Sequence, residues 1–392
     1  MTRPDLGVAR GQARGTVTKF RKTSRIPAPV TKVFAWHERA GAFDRLVPPW
    51  DSTRLVSREG GLDVGGRVEI EASVGPVKRR WLAEHTEFRR GELFRDRQVT
   101  GPFAAWDHEH RFTAESPSST LLEDTIEYAL PAGKLGSLAG GRIARERIER
   151  TFAYRHRITA MDITAHERYA SKGTKTIAIT GASGMQGQAL VPFLTAGGHK
   201  VIQVTRKDDG RGPRWDPENG TIDAAALEGV DAVIHLAGES IGEGRWTAKK
   251  KERIMESRRK GTRLIAETLA GLQRKPSVFV SASAIGFYGN RGDEMLTELS
   301  TPGDGFLADV VKEWEAATAP ASAADIRTVN LRFGVILTPK GGALKKLLLP
   351  FKLGAGGRVG SGKQWWSWIG IDDVIGATLH AVMTDALSGP VN

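Results

Sequence analysis

The stretch that most narrows the fold of this chain is TIAITGASGMQGQALVPFLTAGG, residues 176–198. It opens with a short apolar, β-branched run. Gly181, Gly184 and Gly187 follow in a G-x-x-G-x-x-G spacing, and then come helix-spaced apolar residues at Leu190, Val191 and Leu194, closed by Gly-Gly. The pattern predicts a buried strand, a glycine turn and a helix start. Glycine allows positive φ, lets backbone N–H groups approach a ligand, and permits close contact of helix and strand. The helix N-terminus adds partial positive charge. Such a turn suits a diphosphate, with Gly181, Ser183, Gly184, Met185, Gln186 and Gly187 as the candidate contacts.

From residue 176 onward strands and helices alternate. The strands read TIAIT (176–180), KVIQVTR (200–206), AVIHLAG (232–238), SVFVSAS (277–283) and TVNLRFGVI (328–336). They are nearly continuous apolar runs, as expected where both faces are covered. The fold class is therefore α/β, a doubly wound parallel sheet with a dinucleotide at its glycine turn. An NAD site usually ends its second strand with a carboxylate for the ribose 2′-hydroxyl. Here Thr205 and Arg206 stand there. A guanidinium can clamp a 2′-phosphate, which a carboxylate would repel, so NADP(H) is the expected cofactor. Asp208 and Asp209 compete from the following loop.

The first half has another rhythm. Residues 16–170 show alternating runs such as RVEIEASV (67–74) and TLLEDTIEYAL (120–130), separated by Gly- and Pro-bearing turns, then a helical stretch over about 137–168. This predicts an α+β domain whose antiparallel sheet wraps one long helix. Residues 1–15 read as a disordered tail, 171–175 as a linker, and 176–392 as the nucleotide-binding domain with a partial substrate lobe, C-terminally truncated. The 392 residues contain no cysteine, which excludes disulfides, thiolate metal sites and a cysteine nucleophile. No apolar run is long enough for a membrane span and no signal peptide opens the chain, so the expected location is cytoplasmic. The net charge of +12 favours anionic ligands. No zinc-finger spacing, RNP-like stretch or helix-turn-helix signature is present, so no nucleic acid is expected. A homodimer is compatible with such a chain.

TGASGMQG (180–187), HLAGE (235–239), SASAIGFYG (281–289) and SGKQWWSWIGIDD (361–373) resemble the atypical extended short-chain dehydrogenase/reductases, in particular the epimerase-like group typified by SDR39U1. The resemblance covers about 175–392. It implies a Rossmann fold and cofactor roles for Thr205, Arg206, Leu236, Ala237, Gly238, Arg258 and Arg332. Arg332 has a second reading as half of a buried ion pair. In that superfamily a Tyr-x-x-x-Lys pair and a Ser carry acid–base work. In GDGFLADVVKEWEAA (303–317) those positions hold Leu307 and Val311. Ser283 and Tyr288 are the remaining catalytic candidates. Gln364, Trp365 and Trp366 are candidates for a substrate pocket, although tryptophans this close together are also read as core. Asp373 is expected to cap the helix that follows.

IPAPVTKVFAWHERAGAFDRLVPPW (26–50), FRDRQVTGPFAAWDHEHRF (94–112) and DTIEYALPAG (124–133) resemble the polyketide cyclase/dehydrase and lipid-transport group, the START-like or SRPBCC superfamily. That resemblance implies a helix-grip domain around an apolar cavity and a hydrophobic small-molecule ligand. His108 and His110 share one strand face and with His85 have the residue types for a metal. The reading adopted is that they bond to neighbours or line the cavity, with no metal. The whole implies an NADP-dependent oxidoreductase or epimerase-like protein fused to a domain for a hydrophobic small molecule. The alternative is a non-catalytic, NADP-responsive binding protein.

Overall fold

The computed structural model describes residues 17–74, 77–131, 133–207, 210 and 212–392. The tail expected over 1–15 and the competing Asp208 and Asp209 lie outside the described residues. The chain forms two compact units. One takes in the described residues up to Glu38 together with Leu46–Thr164; the other takes Arg39–Arg45 and Ala165–Asn392.

The first unit is a seven-stranded antiparallel sheet with the order β1-β7-β6-β5-β4-β3-β2. Its strands are β1 (Thr18–Ile26), β2 (Arg54–Glu59), β3 (Arg67–Val74), β4 (Val77–Arg89), β5 (Leu93–Thr100), β6 (Ala105–Ser116) and β7 (Ser119–Ala129). Helix α1 (Val30–Glu38) follows β1, and the 35-residue α3 (Gly133–Glu167) follows β7; α2 (Ala40–Leu46), next after α1 in the chain, belongs to the second unit up to Arg45. This is the helix-grip arrangement. Trp106, Ile126 and Tyr128 of the sheet pack against Ile148 and Phe152 of α3. β6 buries alternate residues, so Trp106, His108, His110 and Phe112 all face inward, as do Leu122, Asp124 and Ile126 of β7. Three of those inward positions are ionisable, against the usual apolar preference.

The second unit is a six-stranded parallel sheet with the order β17-β14-β13-β12-β8-β9. The strands are β8 (Thr176–Thr180), β9 (Lys200–Val204), β12 (Ala232–His235), β13 (Val278–Ala284), β14 (Arg327–Phe333) and β17 (Gly389–Val391); β10 (Trp215–Asp216) and β11 (Thr221–Ile222) form a small hairpin. Period-2 alternation sends Ile177 and Ile179 of β8 to a core shared with α4 (Met185–Ala196) and α9 (Ile371–Met383), whereas Ala178 joins the core of α5 (Ala248–Gly271) on the other face. The remaining helices are α6 (Phe306–Ala316), α7 (Ala319–Ala323) and α8 (Gly342–Lys352). From β8 the chain moves to β9 on one side and returns to β12 on the other, so a topological switch point falls between β8 and β12.

Two expectations need correction. The run 328–336 is not one strand. It breaks at Gly334, where a Cβ would stand 2.6 Å from the Ser367 carbonyl oxygen, and Val335–Leu337 leaves the main sheet as β15 to pair with β16 (Trp368–Gly370). Asp373 does not cap α9. Gly370 is the N-cap, and Asp372 and Asp373 sit in the first turn, where carboxylates meet the positive end of the helix.

Candidate functional site

The glycine turn lies at the switch point. Gly181 has φ +74°, and a Cβ there would come within 2.7 Å of the Ala237 nitrogen and 2.8 Å of the Leu236 carbonyl carbon. Only glycine lets the turn lie this close to the end of β12. Gly187 serves the other side: its Cβ would fall 2.5 Å from Ala182 Cα, so α4 packs directly on the turn. Gly184 is the N-cap of α4, without a side-chain cap and without an acidic residue in the first turn. The first N–H groups of α4 are thus left to a ligand. Gln188 Nε2 donates to the Ser183 carbonyl at 2.8 Å and holds the turn's shape. Ser183 is exposed, and Met185 packs against Gly341. The side-chain oxygen of Gln186 is buried and finds no hydrogen-bond partner among the described residues. A backbone cradle of N–H donors and a free helix end fit a dinucleotide diphosphate.

The next strands extend the site along one edge of the sheet. Thr205 and Arg206 follow β9; Arg206 is exposed, and Thr205 Oγ1 accepts from the Lys207 N–H at 3.1 Å. Leu236, Ala237 and Gly238 follow β12. Arg258 comes from α5, its guanidinium carbon 3.4 Å from the place of a Gly238 Cβ and 4.8 Å from the Trp314 ring centre. Its Nη1 donates to the carbonyls of Glu239 and Ile254 at 3.1 and 3.2 Å, and it pairs with no carboxylate among the described residues. Burial without an anion lowers its pKa to about 10. Glu239 is engaged elsewhere, with Lys250 at 2.6 Å. A half-buried cation satisfied only by carbonyls favours an incoming anion. His235, fully buried beneath this row, shares a 2.7 Å hydrogen bond between Nδ1 and Thr180 Oγ1. Desolvation, and then Arg258, push its pKa down to about 3, so it is neutral.

At the ends of β13 and β14 a closed polar network replaces the missing Tyr/Lys pair. Ser283 and Arg332 are register partners. Ser283 Oγ donates to Glu315 Oε1 at 2.5 Å; Arg332 donates to both oxygens of Glu315, at 2.8 and 2.7 Å. Arg332 Nη1 also donates to Tyr288 OH at 2.8 Å, and Tyr288 OH donates to Asn392 Oδ1 at 2.6 Å. The guanidinium lies 3.6 Å over the Phe287 ring. Hydrogen bonds to Glu315 and Tyr288 hold the Arg332 pKa above its usual value although desolvation, the largest single effect, opposes them. Of its two readings, the structure gives Arg332 to the buried ion pair. Leu307 and Val311 do face this region, through the start of the 3-10 turn Ile285–Tyr288: a Gly286 Cβ would meet Leu307 at 3.5 Å and Val311 at 3.7 Å. The dyad positions are in place and apolar. Lys312 instead pairs with Asp309 at 2.7 Å.

Comparison with known proteins agrees with this architecture. Residues 177–391 match the NAD dependent epimerase/dehydratase family. The chain belongs to that family. An epimerase family protein of Mycobacterium bovis is 38% identical over 218 residues, covering 55% of this chain and 72% of the relative, and YfhF of Bacillus subtilis is 39% identical, with 55% and 73% covered. Among solved structures, the nucleoside-diphosphate sugar epimerase of Corynebacterium glutamicum superposes with a TM-score of 0.80 at 36% identity, covering 95% of this chain and 77% of that one. The human epimerase family protein SDR39U1, solved with NADPH, gives 0.51 at 33% identity, covering 55% and 73%. Residues 26–152 match the polyketide cyclase / dehydrase and lipid transport family.

Within this epimerase-family unit the remaining candidates sit apart from the buried network. Gln364, Trp365 and Trp366 lie on an exposed stretch, Trp365 being 76% and Trp366 44% exposed, so the reading of these tryptophans as core is incorrect. Gln364 Nε2 bonds the Val359 carbonyl at 2.8 Å, and the Trp365 indole donates to Asp293. Two residues escaped the sequence reading. Asn392 carries no local signal. Glu315 does: it is a carboxylate one turn beyond Val311, on the buried side of an otherwise apolar helix face.

Among the described residues no helix is long and apolar enough to cross a membrane.

Proposed function

We propose that this chain is an NADP(H)-dependent oxidoreductase or epimerase-like enzyme acting at a carbinol or carbonyl carbon of a small molecule, and that its first unit binds a hydrophobic small molecule. The observation that carries the reading is the 181–187 turn, held by Gly181 against Leu236 and Ala237 at the switch point, with Arg206 at the end of the neighbouring strand. The turn and the α4 N-terminus hold the diphosphate. Arg206 takes the ribose 2′-phosphate, Arg258 meets the anionic side over Gly238, and Leu236 and Ala237 line the adenine side. NADPH in the human relative supports the choice of cofactor. The cytoplasmic location belongs to the same proposal.

When bound, the nicotinamide supplies hydride acceptance and donation at the substrate carbon. The chain supplies the proton path. Ser283, with its hydroxyl on Glu315, orients the substrate oxygen and passes its proton toward the carboxylate when a carbinol is oxidised. Arg332, itself bonded to Tyr288, fixes the orientation of Glu315. Glu315→Gln and Ser283→Ala should each lower kcat by about a hundredfold with little change in NADPH affinity; unchanged kcat in both would remove them from the chemistry.

A second reading is a non-catalytic NADP-responsive binding protein. Leu307 and Val311 in place of the dyad support it. A metabolite screen following absorbance of the reduced cofactor separates the two. The sugar-nucleotide reading draws on the name of the Corynebacterium relative, and the same two apolar residues speak against it.

A further inference from the structure

The inward face of the first unit carries polar chemistry that the proposed function does not use. Asp96 on β5 lies opposite His108 on β6, and Asp124 on β7 lies opposite His110 on β6. His108, His110 and Asp124 are buried, at 3%, 8% and 3% exposure. Phe94 stacks on His110 at 4.1 Å and Phe152 stands edge-on to His108 at 5.1 Å.

Asp124 sets the tautomers. Its Oδ1 lies 2.8 Å from His108 Nε2 and 2.6 Å from His110 Nδ1, and its Oδ2 lies 2.6 Å from His156 Nε2. An ionised carboxylate only accepts, so these three ring nitrogens donate. In the neutral imidazoles that a metal requires, the other nitrogens, His108 Nδ1 and His110 Nε2, carry the lone pairs. They lie 3.4 and 3.8 Å from Asp96 Oδ2. Both separations exceed a good N–H···O hydrogen bond. They match ligand-to-ligand spacings around a small ion, which for bonds of about 2.1 Å run from about 3.4 Å at the tetrahedral angle to about 4.2 Å across the metal. The three ligand atoms lie within 4.8 Å of one another. A carboxylate behind two imidazoles is the outer-shell arrangement that aims histidines at a metal.

We propose that Asp96, His108 and His110 bind one divalent transition-metal ion, with Asp124 as the positioning residue behind both imidazoles. Two nitrogens and one carboxylate oxygen suit zinc or another first-row divalent ion with a coordination position left for water or ligand oxygen. Asp96 keeps 16% of its side chain open to solvent, which leaves a way in. His85, the register partner of Asp96 across β4 and β5, has a buried Nδ1 without a partner among the described residues, and a metal-bound water would satisfy it. The sequence alone groups His85 with the two histidines and expects no metal; Asp96 becomes visible only through the β5–β6 register.

The test uses the untagged full-length chain, stripped of metal and titrated with Co2+ by visible absorption and with Zn2+ against a chromophoric chelator. The expected result is one equivalent bound with a Kd of about 1 μM or tighter. Asp96→Asn and His110→Ala, checked for folding by circular dichroism, should each weaken binding at least about a hundredfold, and Asp124→Asn about ten- to a hundredfold. Should the variants not fold, proton NMR of the Co2+-loaded wild type decides: two strongly shifted exchangeable ring N–H signals are expected, one from each ligating imidazole. No stoichiometric uptake by the wild type, folded variants that bind as tightly as it does, or a Co2+ complex without those two signals would overturn the proposal.

Discussion

Glu315 holds two side chains at once, Ser283 and Arg332, so it is where a single substitution should cost most. Its partner Arg332 is 3% exposed and would be left as an unpaired buried charge. Glu315→Gln is expected to destabilise the second unit by about 3 kcal/mol or more, whereas Glu315→Leu with Arg332→Met should fall within about 2 kcal/mol of wild type. Urea denaturation checks both, and a double variant no better than the single one would contradict the ion-pair account. His235 gives a pH prediction. Its pKa is about 3 in the folded chain and near 6.5 unfolded. Between those values the unfolded chain takes a proton that the native state refuses, so stability falls as pH falls from about 6.5 toward 3, by about 1.4 kcal/mol per pH unit. His235→Asn keeps a partner for Thr180 and should lower the slope of the second unit by about 1.4 kcal/mol per pH unit between pH 6.5 and 4, leaving the contributions of His166 and His199, which burial lowers to about 3 and about 4; an unchanged slope would place the titration elsewhere. At this scale the sequence showed candidates and not their partners. Ser283, Tyr288 and Arg332 were all visible as single residues. That Ser283 and Arg332 meet at Glu315, with Tyr288 joined through Arg332, depends on a register and a helix rotation that no local pattern encodes.

Among the elements, the glycine turn was the most legible, because each of its constraints is local: positive φ at Gly181, a helix start at Gly184, close packing at Gly187. Gly181→Ala combines a strained φ with a Cβ that meets backbone of β12's end, which cannot yield as a flexible side chain can. It is expected to cost roughly 2 kcal/mol or more and to abolish NADPH binding, as read by thermal melts with and without the nucleotide; full binding by a folded variant would contradict the cradle. Buried parallel strands were legible because they are uniformly apolar. The break at Gly334 was not, since the run 328–336 stays apolar across it and only contact with Ser367 reveals it. The tryptophans near 365 misled for a related reason: composition suggests burial, but Trp365 and Trp366 stay 76% and 44% exposed.

For the whole molecule, two units with separate cores imply separate responses to ligands. A ligand at a hundred times its Kd adds about 2.7 kcal/mol to the unit that binds it. NADPH should raise the melting transition of the second unit and leave that of the first unmoved; equal shifts in both would mean the units do not melt separately. The division into an antiparallel front half and a parallel back half could be read from the period of the apolar residues. The chemistry between strands, including Asp96 beside His108, could not. The central claim is that the turn at 181–187 holds a diphosphate while Arg206 selects the 2′-phosphate. Fluorescence titration of wild type and Arg206→Ala with NADPH and NADH tests it directly. NADPH should bind the wild type at least about tenfold more tightly than NADH, and the substitution should remove most of that preference while leaving NADH affinity unchanged. Equal binding of the two nucleotides, with no effect of the substitution on either, would contradict the account.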